Sequence, residues 1–180
     1  MRRFSTLAIL LVAAFVGVKA QNVQLHYDLG HNLYNDLSSR TTVTSTVEMF
    51  KPDTWGSTFM FTDIDYKSDG AYWEISREFN LTKNKRWAAH VEYNGGVGSG
   101  KTQNNYYGNR YQHAVLLGGA WNWASKDFSK TFSVQLMYKY YFKNGHTGAR
   151  PFSGFQLTEV WGTTFAHGLC TFDGFCDLWY

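Results

Sequence analysis

Apolar and polar residues alternate along most of this chain. In TFSVQLMYKYYF, Phe132, Val134, Leu136, Tyr138, Tyr140 and Phe142 share one side of an extended strand, and Ser133, Gln135, Met137, Lys139 and Tyr141 share the other. WAAHVEYN sets Trp87, Ala89, Val91 and Tyr93 against Ala88, His90, Glu92 and Asn94, and NVQLHYD sets Val23, Leu25 and Tyr27 against Gln24, His26 and Asp28. A period of two marks strands whose faces meet different surroundings. The pattern predicts nine strands, at 22–28, 42–50, 55–66, 71–80, 86–94, 112–123, 131–142, 153–165 and 169–180. Turn-rich stretches separate them, among them KPDTWG, KSDGA, TKNK, ASKDFSK, KNGHTGARP and AHG. No helical stripe of useful length interrupts the rhythm.

Alternation says that two faces differ, not which one is inside. A soluble lipocalin-like barrel is apolar within, and a transmembrane barrel is apolar without. Two features favour the membrane form. Most segments reach the roughly 9–11 residues that a spanning strand needs, and soluble strands are typically about 5–6 residues. Aromatic residues also collect near strand ends, as at Trp55 and Tyr66, Trp87 and Tyr93, Trp121 and Trp123, and Phe132 and Phe142. Such placement suits the aromatic girdles of an outer-membrane barrel.

Composition agrees with a strand-rich fold: aromatics are 18% of residues and only two prolines occur. Aromatic and β-branched side chains fit pleated, half-buried surfaces. Residues 1–20 read as a cleavable secretory signal, with Arg2 and Arg3 before the apolar run LAILLVAAFVGV and Val18 and Ala20 before the cut. The domain then covers 21–180, and its destination is the outer membrane. Losing Arg2, Arg3 and Lys19 brings the 17 basic residues level with the 14 acidic ones. A neutral chain has no concentrated positive field for nucleic acid.

GGVGSGKT, residues 95–102, satisfies every fixed position of a phosphate-binding loop. Its context does not fit. Such a loop follows a buried apolar strand and opens a helix. Here a half-polar strand precedes it, and QNNYYGNRYQ, poor helix material, follows. The stretch from Gly95 to about Tyr111 reads instead as a long outward hairpin connection.

Alternation places His26, Asp28, Glu48, His90, Glu92, Gln135, Lys139 and Gln156 on the interior face, and Asp173 and Asp177 opposite the face of Phe172, Leu178 and Tyr180. Glu74 joins this lining, and Asp63, Asp65, Arg77, Glu78 and Glu159 are expected inside or at the rims. Asp63 and Asp65 share parity with Phe59 and Phe61, which suggests a β-bulge there. The lining is either that of a pore or a self-satisfied plug of paired charges. The six histidines lack metal-ligand spacing, and neither catalytic residues nor a cofactor is expected. Ser76 between Glu74 and Glu78, with His90 on the next strand, comes nearest to a hydrolase arrangement. Cys170 and Cys176 lie about 20 Å apart if 169–180 is one strand, too far for a bridge. A tight turn at Asp173 and Gly174 leaves them diagonally offset. Two free thiols are expected either way.

GSTFMFTDIDY (56–66), GAYWEISREFNL (70–81), GFQLTEVWG (154–162) and TFDGFCDLWY (171–180) resemble strands of the Tsx-like nucleoside-specific channel-forming proteins of the bacterial outer membrane, and more closely an uncharacterised family related to them. The resemblance covers most of 21–180. It implies a monomeric, all-β antiparallel transmembrane barrel of about twelve strands, an even number as in single-chain bacterial barrels. Nine candidates are present, so the resemblance implies further strands beyond Tyr180, in a chain truncated at its C-terminal end; the alternative is that one of the nine is split or merged, giving eight or ten. The implied activity is passive passage of small polar solutes such as nucleosides, with outer-membrane lipid as the other partner. A closed barrel with a structural or binding role, or a soluble lipocalin-like binder, are the alternatives.

Overall fold

The computed structural model describes residues 21–38, 40–66, 70–101, 106–109 and 111–180. The expected signal, residues 1–20, and Thr102 lie outside the described residues. The strands are β1 (Gln21–Tyr27), β2 (Val43–Pro52), β3 (Gly56–Asp65), β4 (Gly70–Asn80), β5 (Trp87–Lys101), β6 (Tyr106–Asn109), β7 (Ala114–Ala124), β8 (Lys130–Tyr141), β9 (Phe152–Phe165) and β10 (Cys170–Trp179). All pairings are antiparallel. Nine strands form one curled sheet, a half-barrel in the order β1-β2-β3-β4-β5-β7-β8-β9-β10, with the short β6 paired to the end of β5. Among the described residues, helix is confined to α1 (Gly30–Leu33) and two single 3-10 turns.

The nine predicted strands correspond to these nine, with ends shifted by a residue or two except at β5. There the glycine run is not a loop: Gly95–Lys101 continues the strand, opposite Trp73 through Gly70 and then β6. Extended, paired backbone cannot wrap a phosphate, so the nucleotide motif has no structural counterpart. The β5–β6 pairing is irregular between Ser99 and Gly100. Around Asp63 and Asp65 the register runs unbroken on both sides. The expected bulge is absent, and Phe59, Phe61, Asp63 and Asp65 share one face. Likewise, Asp173 and Gly174 sit within β10, opposite Gly162 and Trp161, and not in a turn.

The sheet curls with its polar face inward. Lys139 is 7% exposed and its neighbour Leu136, on the other face, 59%. Side chains opposite each other in an antiparallel ladder share a face, so register extends this assignment across the sheet. Leu136, Leu157 and Leu178 line up on the convex side, beside Leu117 and Val91. Cross-strand aromatics flank this aliphatic zone. Trp87 faces Trp121, and Trp123, Phe132 and Trp161 form a row near one end. Tyr140 and Phe142, edge to face at 5.4 Å, lie near the other.

The two ends differ. At one, strands are joined by 53–55, 81–86, 125–129 and 166–169; at the other, by the four-residue 66–69, by the longer 28–42 and 142–151, and by the segment carrying β6. At the short-turn end Asp53 Oδ1 accepts from the Trp55 and Gly56 amides at 2.8 and 2.9 Å, closing the β2–β3 turn.

Candidate functional site

The concave face carries the chemistry. Its centre is Glu78 on β4. Glu78 Oε2 accepts from Asn122 Nδ2 at 2.8 Å, and Oε1 accepts from Gln135 Nε2 at 3.2 Å. His90 Nδ1 stands 3.4 Å from the same Oε1, and His90 Nε2 stands 3.2 Å from Glu92 Oε2. The imidazole is therefore held between two carboxylates. Neither ring nitrogen is left for Ser76, which stands opposite Glu92. The Ser–His hydrogen bond that a nucleophilic triad requires is not formed here.

Two same-face positions further toward the long-loop end, Tyr72 Oη donates to Glu74 Oε1 at 2.7 Å, and Asn94 Nδ2 reaches the same oxygen at 3.2 Å. Phe59, Phe61, Tyr72 and Tyr111 follow one another with ring centroids 5.8–6.1 Å apart. Beside this aromatic line, Thr46 donates to Asp63 at 2.5 Å and Thr44 to Asp65 at 2.8 Å. Gly96 lies under the end of the line. A Cβ there would come within 2.6 Å of the Tyr111 ring.

Across the sheet, Lys139 Nζ donates to Gln156 Oε1 at 2.8 Å and lies 5.2 and 5.7 Å from the Tyr141 and Trp179 ring centres. Trp179 Nε1 donates to the same Gln156 oxygen at 2.8 Å. Asp177 accepts from Thr158 Oγ1 and, at 3.4 Å, from Gln156 Nε2.

The structure thus brings His90, Glu92 and Gln135 into one hydrogen-bonded network around Glu78, Glu74 into a second with Tyr72 and Asn94, and Lys139, Gln156 and Asp177 into a third. His26 and Glu48 share the concave face on β1 and β2, opposite Thr44 and Phe61 by register. Asp28 sits at the long-loop end, 3.0 Å from Arg40, beside a hollow of about 500 Å³ that His26 and Asp65 also line. Asp173 is exposed near the short-turn end. Two charged residues expected inside or at the rims belong to the convex face. Glu159 lies in register with Val134 and Cys176. Arg77 lies opposite Thr58 and Val91 and reaches the rim to meet Asp53 at 2.6 Å. Sequence reasoning missed Tyr72, Asn122, Thr158 and Trp179 as members of these networks. Their parity matches that of the residues it did select, so the alternation that found those also covers these.

Carboxylates dominate the concave face. Glu48, Asp63, Asp65, Glu74, Glu78, Glu92, Asp173 and Asp177 are set against Lys139 and the imidazoles of His26 and His90. Among the described residues, no group of three or more His, Cys, Asp and Glu is placed to hold a metal ion. Cys170 and Cys176 are free and exposed.

Residues 20–180 match the family described as Domain of unknown function (DUF5020), and the chain belongs to that family. No curated protein and no solved structure matches it.

Proposed function

We propose that this member of the DUF5020 family is an outer-membrane β-barrel that lets small polar solutes cross passively. Nucleosides are the favoured class, as the resemblance to Tsx-like channels implies. The observation that carries the reading is the inversion of the sheet: polar, hydrogen-bonded side chains around a small buried apolar cluster (Ala114, Leu116, Met137) on the concave face, and exposed aliphatic residues between aromatic bands on the convex one. That is the pattern of a barrel dissolved in lipid. The soluble lipocalin-like alternative requires the opposite arrangement. Short turns at one end and, apart from 66–69, longer connections at the other fit the periplasmic and outer sides of such barrels. In lipid the backbone groups along β1 and β10 need partners, so further strands closing that gap are part of the proposal.

The polar face suits a conduit. Carboxylates, amides and an ammonium offer hydrogen bonds to a sugar, and the Phe59–Phe61–Tyr72–Tyr111 line offers ring faces. Conduction needs many weak sites and no tight one. A closed barrel is the second reading, favoured by Glu78, whose bonds to Asn122, His90 and Gln135 fill the concave side at that level. Vesicle swelling separates the two. The complete protein in vesicles is expected to admit adenosine or thymidine faster than a disaccharide of similar mass. No swelling with any solute sinks the channel and leaves the closed barrel.

A further inference from the structure

Two buried acceptors on β5 have no donor. Glu92 is 8% exposed and Asn94 2%, and neither Glu92 Oε1 nor Asn94 Oδ1 has a hydrogen-bond partner. Buried polar atoms without partners are rare in folded proteins, and each one calls for an explanation such as strain, an ordered water or a bound group. The orientation of Asn94 is fixed by its neighbour. Its Nδ2 faces Glu74 Oε1 at 3.2 Å, and turning the amide over would set oxygen against carboxylate. The orphan is therefore the oxygen. The orientation of Glu92 is fixed in the same way, because Oε2 is engaged by His90 Nε2.

What is missing is a donor. Tyr72 and Asn94 are spent on Glu74, and His90 on Glu78 and Glu92; the Ser76 hydroxyl, opposite Glu92 in register, does not bond Glu92 Oε1. Lys139 stands on the same face, but its ammonium is committed to Gln156 and to the Tyr141 and Trp179 rings. Residues two apart on one strand face lie side by side, about 6.6 Å apart at the backbone, and an ammonium has three N–H groups to offer the oxygens of two such side chains. A divalent cation suits the place less well, since it gathers six or more oxygens and no such cluster is present among the described residues. The surplus of carboxylates on this face adds a long-range preference for positive charge.

We infer that Glu92 Oε1 and Asn94 Oδ1, backed by the Glu74 carboxylate, form a subsite for a protonated primary amine on a small polar solute. The Tyr72 ring and the aromatic line behind it supply the wall against which the rest of the solute lies. The subsite rests on the channel reading for its biological role, but its occupancy does not depend on transport, so it is tested by binding.

The probes are glucosamine and glucose, which share a ring and differ by an amine. The full-length protein is refolded in detergent and titrated calorimetrically at a pH where the amine is protonated. Glucosamine is expected to bind at least about tenfold more tightly than glucose, as a charge-assisted hydrogen bond provides. Glu92→Gln supplies its own N–H to the gap while keeping an acceptor for His90, and is expected to erase that tenfold preference. Strand content by circular dichroism confirms that this variant folds. Equal binding of the two sugars by wild-type protein, or no binding of either, overturns the subsite, and no variant is needed for that outcome. Vesicle swelling by adenosine in the same preparation then shows whether the channel survives the loss of the subsite.

Discussion

Gln135 on β8 and Glu78 on β4 meet side chain to side chain at 3.2 Å, although β5 and β7 lie between their strands. In a flat sheet the two strands would stand about 14 Å apart, at three strand spacings. The contact measures how strongly the sheet curls and shows which face it curls toward. It also makes Glu78 a clamp on the curvature, because Asn122 and His90 converge on the same carboxylate.

Glu78→Leu removes the acceptor for three donors. Each unsatisfied buried donor costs about 1–3 kcal/mol, so a loss of about 3 kcal/mol or more is expected. Glu78→Gln, which keeps an acceptor oxygen, is expected to cost less than half as much. Denaturant midpoints of the refolded variants check the difference, and equal midpoints would remove Glu78 from its central role.

Gly118 and Gly119 are neighbours with different freedom. A Cβ on Gly118 would overlap the Leu136 carbonyl and lie 2.7 Å from Met137 Cα, whereas one on Gly119 meets only the Ala88 carbonyl at 3.8 Å. The obstruction at Gly118 is backbone, which does not move aside. Gly118→Ala is expected to destabilise by about 1–3 kcal/mol through overpacking, and Gly119→Ala to stay within about 0.5 kcal/mol. The temperature at which unboiled protein loses its folded gel mobility ranks the two variants.

Alternation made β8 legible because almost every residue from Lys130 to Tyr141 obeys it, and the same holds for β1 and for β5 as far as Asn94. Beyond Asn94 the glycines carry no side-chain signal. Whether Gly95–Lys101 was strand or loop was decided by pairing with β4 and β6, which local sequence does not record. Phe59 and Phe61 misled for a related reason. A concave face that is mainly polar still holds aromatic rings, so their parity with Asp63 and Asp65 reflected shared burial, not a bulge. Glu159 was misplaced because a carboxylate was assumed to face inward. The orphan oxygens of Glu92 and Asn94 were invisible, since a missing partner appears only when every neighbour has been placed.

Arg77 and Asp53 predict a pH response at the short-turn end. Both guanidinium nitrogens bond the carboxylate, at 2.6 and 2.9 Å, and this fork, with the Trp55 and Gly56 amides, holds the Asp53 carboxyl well below the usual range. A carboxyl lowered on folding contributes stability that is present above its unfolded value of about 3.9. That contribution is lost only as pH falls through the folded value. Asp127, held down to about 2 by the Ser125 and Ser129 hydroxyls, behaves in the same sense. Carboxyl carbon chemical shifts are expected to stay flat for both residues from pH 7 to pH 4. Arg77→Lys, which lacks the fork, is expected to move the Asp53 titration up toward the ordinary range and leave Asp127 unchanged. An Asp53 midpoint already near 4 in the wild-type protein contradicts the clamp.

The two thiols test the membrane reading directly. Cys170 opens β10 beside the 166–169 turn, and Cys176 lies six residues further along the strand. Alternation puts both on the convex face, in the set that includes Phe172 and Leu178. At about 3.3 Å per residue they are about 20 Å apart along the strand, which also precludes a bridge between them. In a bilayer with a hydrocarbon core of about 30 Å, a thiol at the strand's first residue lies at the water boundary. One about 20 Å further in is surrounded by acyl chains. Reaction with a thiol reagent needs the thiolate, and a charged, water-soluble maleimide does not reach that depth. The single-thiol variants Cys176→Ser and Cys170→Ser, folded in vesicles, are therefore expected to differ by at least about tenfold in labelling rate, Cys170 being the faster. Unfolding in detergent should bring the two rates together, which controls for intrinsic reactivity. A soluble barrel has no lipid around β10, and both thiols are exposed on the protein itself. Equal rapid labelling in the vesicle sample is thus the outcome that removes the membrane from the account.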